Sequence, residues 1–254
     1  MSLPLLRPAW PAPPGVGAAM SLRDGGVSDG SWSSLNLGVA VGDEAEAVAV
    51  NRARFAAALG ARPVWLRQVH GTEVLRLTAA IDDTPAAPAD AAWTDVAGIA
   101  CTVQVADCLP VLFALRDGSA VAAAHAGWRG LAAGVLEAAV DTLCAGTGAR
   151  PVDVQAWLGP CIGPRQFEVG EDVLQAFAQA PGGADAQRFI RRARPDGALR
   201  WLANLPQLAC DRLSAVGVQA VCRSQACTVE DASAFFSFRR DGVTGRMAAA
   251  IWRL

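Results

Sequence analysis

The sequence predicts one α+β domain over residues 1–254, with mixed strands joined by hairpins and helices beside them. Three observations carry this. A chain of 254 residues is long enough to bury a full core. Apolar residues make up 52% and charged residues 18%, a globular rather than disordered composition. Short apolar runs alternate with helical periods, and Asp117-Gly118 marks a hairpin turn. Sheets containing hairpins are not purely parallel, which argues against a Rossmann arrangement.

Taken in order, the Pro-rich start MSLPLLRPAWPAPPGVGAAM lacks a continuous apolar core and does not read as a signal peptide. Residues 23–38 carry four glycines and read as loop. Residues 43–60 predict a helix, with Asp43 as N-cap, Glu46 three residues on, Val48, Phe55 and Leu59 near one face, and Gly60 ending it. PVWLRQV and TEVLRL read as paired strands separated by His70-Gly71. Residues 81–90 read as loop. GIACTVQVAD, PVLFALRD and SAVAAAHAG read as strands, the last two joined by the hairpin. A second helix over 130–145 follows from Leu131, Val135, Ala139 and Leu143, spaced by four. Beyond it VDVQAWLG reads as a strand, 171–180 and 204–217 as helices, VQAVCR as a strand, and FFSFRRDG with MAAAIWRL as a closing strand pair.

The composition also excludes chemistry. The chain has no lysine and no tyrosine, so Schiff-base catalysis, a P-loop lysine and a phenolic acid or base are all absent. Arginine supplies the side-chain cations, and its planar fork suits phosphate and carboxylate oxygens. A net charge of −2 is too near neutral to expect nucleic acid or an anionic membrane as the main partner. Seven cysteines without a CxxC read as free thiols of a reducing compartment, so a cytoplasmic protein is expected. No apolar run of about 18 residues is present, so no membrane span is expected.

The chain has only two histidines, and both occupy similar settings. His70 follows WLRQV, Cys108 follows CTVQVAD, and His125 follows AVAAA, with Gly71, Pro110 and Gly127 as flanking loop-formers. Strand ends feeding loops hold reactive groups with precision. Two imidazoles and one thiolate suit a zinc ion with one position open to water, the catalytic rather than the structural pattern. The same ligands suit copper less well: a blue-copper centre adds an axial methionine, and Met1, Met20 and Met247 lie outside these segments. A Cys108 nucleophile with His125 as its base is a second reading of the same residues.

Taken together, RQVHG, ADCLPVLF, AAHAGWRGLAAGVL, AWLGPCIGPRQFEVG and FFSFRRDGVTGRMAAAI resemble, in order, the bacterial laccase-domain proteins. That family is also known as multicopper polyphenol oxidase-like, as peptidoglycan editing factor and as purine nucleoside phosphorylase. The resemblance covers almost the whole chain. It implies two packed mixed β-sheets with helices on the outer faces, similar to the Cys–His deamidase domain of certain toxins. It implies a metal site at His70, Cys108 and His125, and phosphorolysis of adenosine, inosine and methylthioadenosine with accessory adenosine deamination. A multicopper oxidase needs many more histidines than two, so the oxidase name does not suit this chain.

If phosphate is a substrate, arginines must hold it. Arg129 is the first choice, four residues past His125, with Arg52 and Arg246 behind it and Arg239 and Arg240 weaker. Asn36 is a candidate contact for the purine or ribose, though it also reads as a turn former. Zinc deaminases add a glutamate in an H-x-E signature; His125 is followed by Ala126-Gly127, leaving Asp107 or Glu168 as substitutes. Trp128 and Phe167 read as packing residues. Cys161 stands where relatives often carry a small residue, Phe238 where tyrosine is common, and Asn204 near a frequent aspartate. Three functions are therefore carried forward: a zinc-dependent purine nucleoside phosphorylase, a Cys–His amidase acting on a peptidoglycan precursor, and a non-catalytic binding protein whose metal is closed by Cys161 or Cys101. A monomer or homodimer is expected.

Overall fold

The structure is a computed structural model that describes residues 3–84, 87–179, 188–194 and 196–254. Two mixed sheets form its centre. The first orders its strands β1 (Leu5–Leu6), β2 (Val16–Ser21), β14 (Met247–Arg253), β6 (Ile99–Val105) and β3 (Arg62–Trp65). The second orders β13 (Ala220–Arg223), β9 (Val154–Leu158), β7 (Leu109–Leu115), β8 (Val121–Ala126), β5 (Ala91–Thr94) and β4 (Val74–Arg76). Most pairs are antiparallel, but β3 with β6, β13 with β9, and β4 with β5 are parallel. A small third sheet joins β10 (Glu168–Val169), β12 (Leu199–Ala203) and β11 (Phe189–Ala193).

Strand alternation builds the layers. Ile99, Cys101, Val103 and Val105 of β6 face one way and meet Leu112, Ala114, Val121 and Ala123 of β7 and β8 in a shared core between the sheets. Ala100 of β6, with Ala248 and Ala250 of β14, faces the other way, under Phe55 and Leu59 of helix α1 (Ala45–Leu59). The outer face of the second sheet is covered by α2 (Trp128–Ala133), α3 (Val135–Thr147), α4 (Glu171–Ala178) and α5 (Leu205–Ala215), which pack Leu131, Leu136, Phe177 and Leu208 against Phe113, Val111 and Ala124. Helices therefore lie on the outer faces of two packed sheets, as expected.

Four local expectations are corrected. The helix over 43–60 forms, but Asp43 does not cap it: its carboxylate accepts from Ser28 Oγ at 2.6 Å and Asn36 Nδ2 at 2.8 Å, and the cap is Glu44. The second helix is split by Gly134, whose φ of 104° closes α2 before α3 starts. PVWLRQV and TEVLRL are not partners, since β3 joins the first sheet and β4 the second. The chain changes sheets at His70, where φ is 60°. Finally, FFSFRRDG is not a strand. Ser237 Oγ accepts from Arg240 N to cap the short helix α6 (Phe238–Asp241), and the Arg240 guanidinium donates to the carbonyls of Thr228, Val229 and Phe235. The partners of β14 are instead β2 and β6. The hairpin holds: β7 and β8 pair antiparallel around Gly118, with φ 74°. The helix over 171–180 forms as α4, while residue 180 lies outside the described residues.

Candidate metal centre

The two sheets bring His70, Cys108 and His125 to one end of their shared core, with one ligand atom from each lying within 4.8 Å of the others. His125 sits inside β8, in register with Pro110 of β7, and is buried. Cys108 lies in the turn between β6 and β7, directly after Asp107, which adopts a φ of 91°. That conformation costs a non-glycine residue energy, and the surrounding contacts hold it. Asp107 Oδ1 accepts from Thr228 Oγ1 and Oδ2 from Arg239 N, both at 2.6 Å, while its carbonyl accepts from Ile162 N.

His70 comes from the loop after β3. Its ring meets that of His125 edge-on, with centroids 4.7 Å apart, and its Nε2 lies 3.8 Å from Cys108 Sγ.

One residue that sequence reasoning missed ties these parts together. Asp90 lies in a stretch read only as loop. It is fully buried; Oδ1 accepts from His125 Nδ1 at 2.8 Å and His70 N at 2.9 Å, and Oδ2 accepts from the N–H groups of Val69 and Gly71. Burial alone would push this carboxyl up, but the hydrogen bonds from His125, Val69 and Gly71 outweigh it and hold the group below the usual range. With Nδ1 engaged, His125 presents Nε2 to the site. Such a carboxylate–imidazole pair is the usual outer support of a metal ligand.

Gly127 supplies the room. A Cβ there would stand 2.6 Å from His70 Cδ2 and 3.1 Å from Cys108 Sγ.

Charge is concentrated here. Burial raises the Cys108 thiol, but the nearby His125 and His70 more than reverse this and bring it to about 6. Burial lowers the His125 ring, yet Cys108 and Asp90 together raise it to about 9. Two imidazole nitrogens and a readily formed thiolate are borderline-soft donors suited to zinc or copper. Among the described residues, the ligand group comprises these three side chains. Cys101 faces the core between the sheets, its Sγ directed to the Val121 carbonyl, and Cys161 packs in the core beside the helices. Neither closes the site as a fourth ligand.

The three candidate ligands open on a cavity of about 700 Å³, also lined by Arg52, Arg67, Arg246, Gln104 and Phe238. Among the described residues, no Asp or Glu lines it. Arg52 stacks on Trp65 at 4.1 Å and donates Nε–H to the Leu37 carbonyl; Arg246 donates to the carbonyls of Thr244 and Gly245. Among the described residues neither has a carboxylate partner. Desolvation lowers both guanidiniums, Arg52 to about 10.

The remaining candidates lie elsewhere. Arg129 stacks on Trp128 at 4.2 Å and is not a lining residue. Asn36 is buried and fully engaged, bonding Gly38 N and O, Asp43 Oδ2 and Arg246 N. Glu168 is ion-paired to Arg194 and Arg192. Arg239 donates to the carbonyls of Gln166 and Glu168, and Asn204 caps α5 by accepting from Gln207 N.

A family model described as multi-copper polyphenol oxidoreductase laccase matches residues 17–254. The chain belongs to this laccase-domain family. It is 48% identical to a purine nucleoside phosphorylase of Pseudomonas aeruginosa, over 97% of each chain. It is equally similar, at 48% over 98% of each chain, to the purine nucleoside phosphorylase YfiH of Escherichia coli. Among solved structures, the Neisseria meningitidis protein NMB0706 superposes with a TM-score of 0.90 at 45% identity, over 98% of each chain. YlmD of Geobacillus stearothermophilus does so at 0.88 and 33%, covering 98% of this chain and 96% of that one. Among the described residues of this laccase-domain chain, no helix is long and apolar enough to cross a membrane.

Proposed function

We infer that the protein is a zinc-dependent purine nucleoside phosphorylase. It takes adenosine, inosine and methylthioadenosine with phosphate and releases the free base and the (methylthio)ribose 1-phosphate. The observation that carries this is a single cavity holding His70, Cys108 and His125 beside two partly buried arginines, Arg52 and Arg246, that have no carboxylate partner among the described residues. The names of the Pseudomonas and Escherichia relatives support it.

The residues divide the work. His70, Cys108 and His125 would hold the metal, which supplies a Lewis acid at the cavity wall. Asp90 fixes the His125 ring and the loop bearing His70. Arg52 and Arg246 receive phosphate: desolvation without a paired charge is an unfavourable state that an anion relieves. Held there, a phosphate oxygen bonds to C1′ as the C1′–N9 bond breaks, its electron pair leaving with the purine, which takes up a proton. Accessory deamination of adenosine would share this cavity. Among the described residues no carboxylate lines it, so deamination is expected to be the slower reaction. Cytoplasmic localisation fits the reduced thiols.

One observation favours a second reading. Cys108, His125 and Asp90 also form a nucleophile, base and orienting acid in sequence, the arrangement of a Cys–His amidase; a peptidoglycan precursor would be its substrate. The thiolate cannot serve as a resident ligand and an attacking group at once.

The test is zinc-analysed protein incubated with adenosine, with and without phosphate, beside His125→Ala, with products resolved by chromatography. Phosphate-dependent adenine release that the variant loses is expected. If zinc-loaded protein releases neither adenine nor inosine, the phosphorylase reading fails and amide substrates come next.

A further inference from the structure

Gln104 is the sixth residue of β6, and the parity of that strand decides where its side chain goes. Cys101, Val103 and Val105 point into the core between the sheets. Gln104 therefore shares the opposite face with Ala100 and with its partner Ala248 on β14. Arg246, directly before β14 and two residues back from Ala248, lines the same cavity as Gln104. The Gln104 backbone is held on both sides: β14 pairs with one edge, and beyond the end of β3 the Gln68 side chain takes the other. Gln68 Oε1 accepts from Gln104 N at 2.7 Å, and its Nε2 donates to Gln104 O at 2.9 Å. The side-chain amide of Gln104 has no hydrogen-bond partner among the described residues. A fixed backbone thus presents an uncommitted amide to the cavity that holds the three metal ligands. Phe238, 58% exposed, lies on the same cavity and offers an aromatic face to a planar base.

We propose that Gln104 reads the edge of the purine, resting on the phosphorylase reading of this cavity. An amide carries a donor and an acceptor side by side, and rotation by half a turn exchanges them. One orientation matches the 6-amino group and N1 of adenine; the other matches the 6-oxo group and N1–H of hypoxanthine. One side chain so accommodates both classes of base, and it selects against bases presenting two donors or two acceptors at that edge. A carboxylate at this position reverses the rule. Accepting only, it pairs with the adjacent N1–H and 2-amino donors of guanine, and it faces an unprotonated N1 in adenine.

The experiment measures kcat/KM for adenosine, inosine and guanosine at one fixed phosphate concentration, in wild type, Gln104→Glu and Gln104→Leu. Metal content and Tm are measured alongside. Since the amide has no hydrogen-bond partner among the described residues, neither change breaks an internal hydrogen bond there. Gln104→Glu is expected to raise the guanosine-to-adenosine ratio by about tenfold or more, the discrimination of one bidentate pair. Any effect of the new charge on phosphate cancels in that ratio. Gln104→Leu is expected to cost adenosine and inosine more than purine riboside, which has no group at C6. An unchanged ratio in active Gln104→Glu overturns the proposal. Should that variant fail to fold, equal losses for adenosine and purine riboside in Gln104→Leu overturn it instead. Absence of phosphate-dependent base release in the wild type overturns the phosphorylase reading itself, a distinct outcome.

Discussion

The Asp90 carboxylate and the His125 ring are joined by a 2.8 Å hydrogen bond, and the oxygen that makes it also accepts the backbone N–H of His70. One buried side chain therefore sets the tautomer of one ligand and the loop position of another. Asp90→Asn keeps the size and part of the bonding, and is expected to weaken zinc binding by about 10–100-fold, read by competition with a chromogenic chelator. Asp90→Ala should also lower Tm, because it strands buried donors at about 1–3 kcal/mol each.

Gly127 has a φ of −65°, open to any residue, so only space requires glycine there. Gly127→Ala places a methyl against His70 and Cys108. Sub-stoichiometric zinc with an almost unchanged circular dichroism spectrum is the expected result. Full zinc occupancy in the variant would show that the ligands approach one another less closely than described.

Arg52 and Arg246 should separate the substrates kinetically. Arg246→Gln is expected to raise the KM for phosphate about tenfold or more, by loss of a charge-assisted contact of at least about 1.4 kcal/mol, with a smaller effect on the KM for adenosine. Arg129→Ala, altering a residue stacked on Trp128 outside the cavity, should change neither.

The Cys108 thiol gives a pH signature in protein stripped of metal. Its thiolate is favoured by His125 and His70, with a midpoint at about 6, and thiolate rather than thiol reacts with alkylating agents. Iodoacetamide labelling of Cys108 should therefore rise as pH increases through about 6, not through the usual thiol range. Burial raises the thiols of Cys144, Cys161 and Cys210, so they should label later. Zinc should protect Cys108. Labelling that ignores zinc would place the metal elsewhere.

Much of this was legible in the sequence, and the gaps have physical causes. His70, Cys108 and His125 stood out because histidine is rare here and each is flanked by loop-forming residues. The strands β6, β7 and β8 announced themselves as long β-prone runs between turn signals. Asp90 did not, because an aspartate in a Pro- and Ala-rich stretch looks like any loop residue until the fold brings His125 to it from 35 positions away. Arg129 looked nearer the site than Arg246 because sequence distance misleads once the chain folds; Arg246, directly before β14, is brought to the cavity from far along the chain. FFSFRRDG looked like a strand because aromatic runs favour strands, while the capping by Ser237 and the fork of Arg240 act through partners that local pattern does not reveal.

The position of β14 has a bearing on how the protein is made. Its residues, 247–253, lie between β2 near the start of the chain and β6 near the middle. During synthesis the first sheet therefore stays divided until β14 has emerged from the ribosome. The second sheet, whose strands β4 to β13 end by residue 223, can be complete earlier. Arg246 directly precedes β14, so a nascent chain can gather His70, Cys108 and His125 before it has both partly buried arginines of the cavity, Arg52 and Arg246. Metal capture by the growing polypeptide would then precede competence to bind phosphate, and a ribosome stalled before codon 246 would hold a chain able to do only the first.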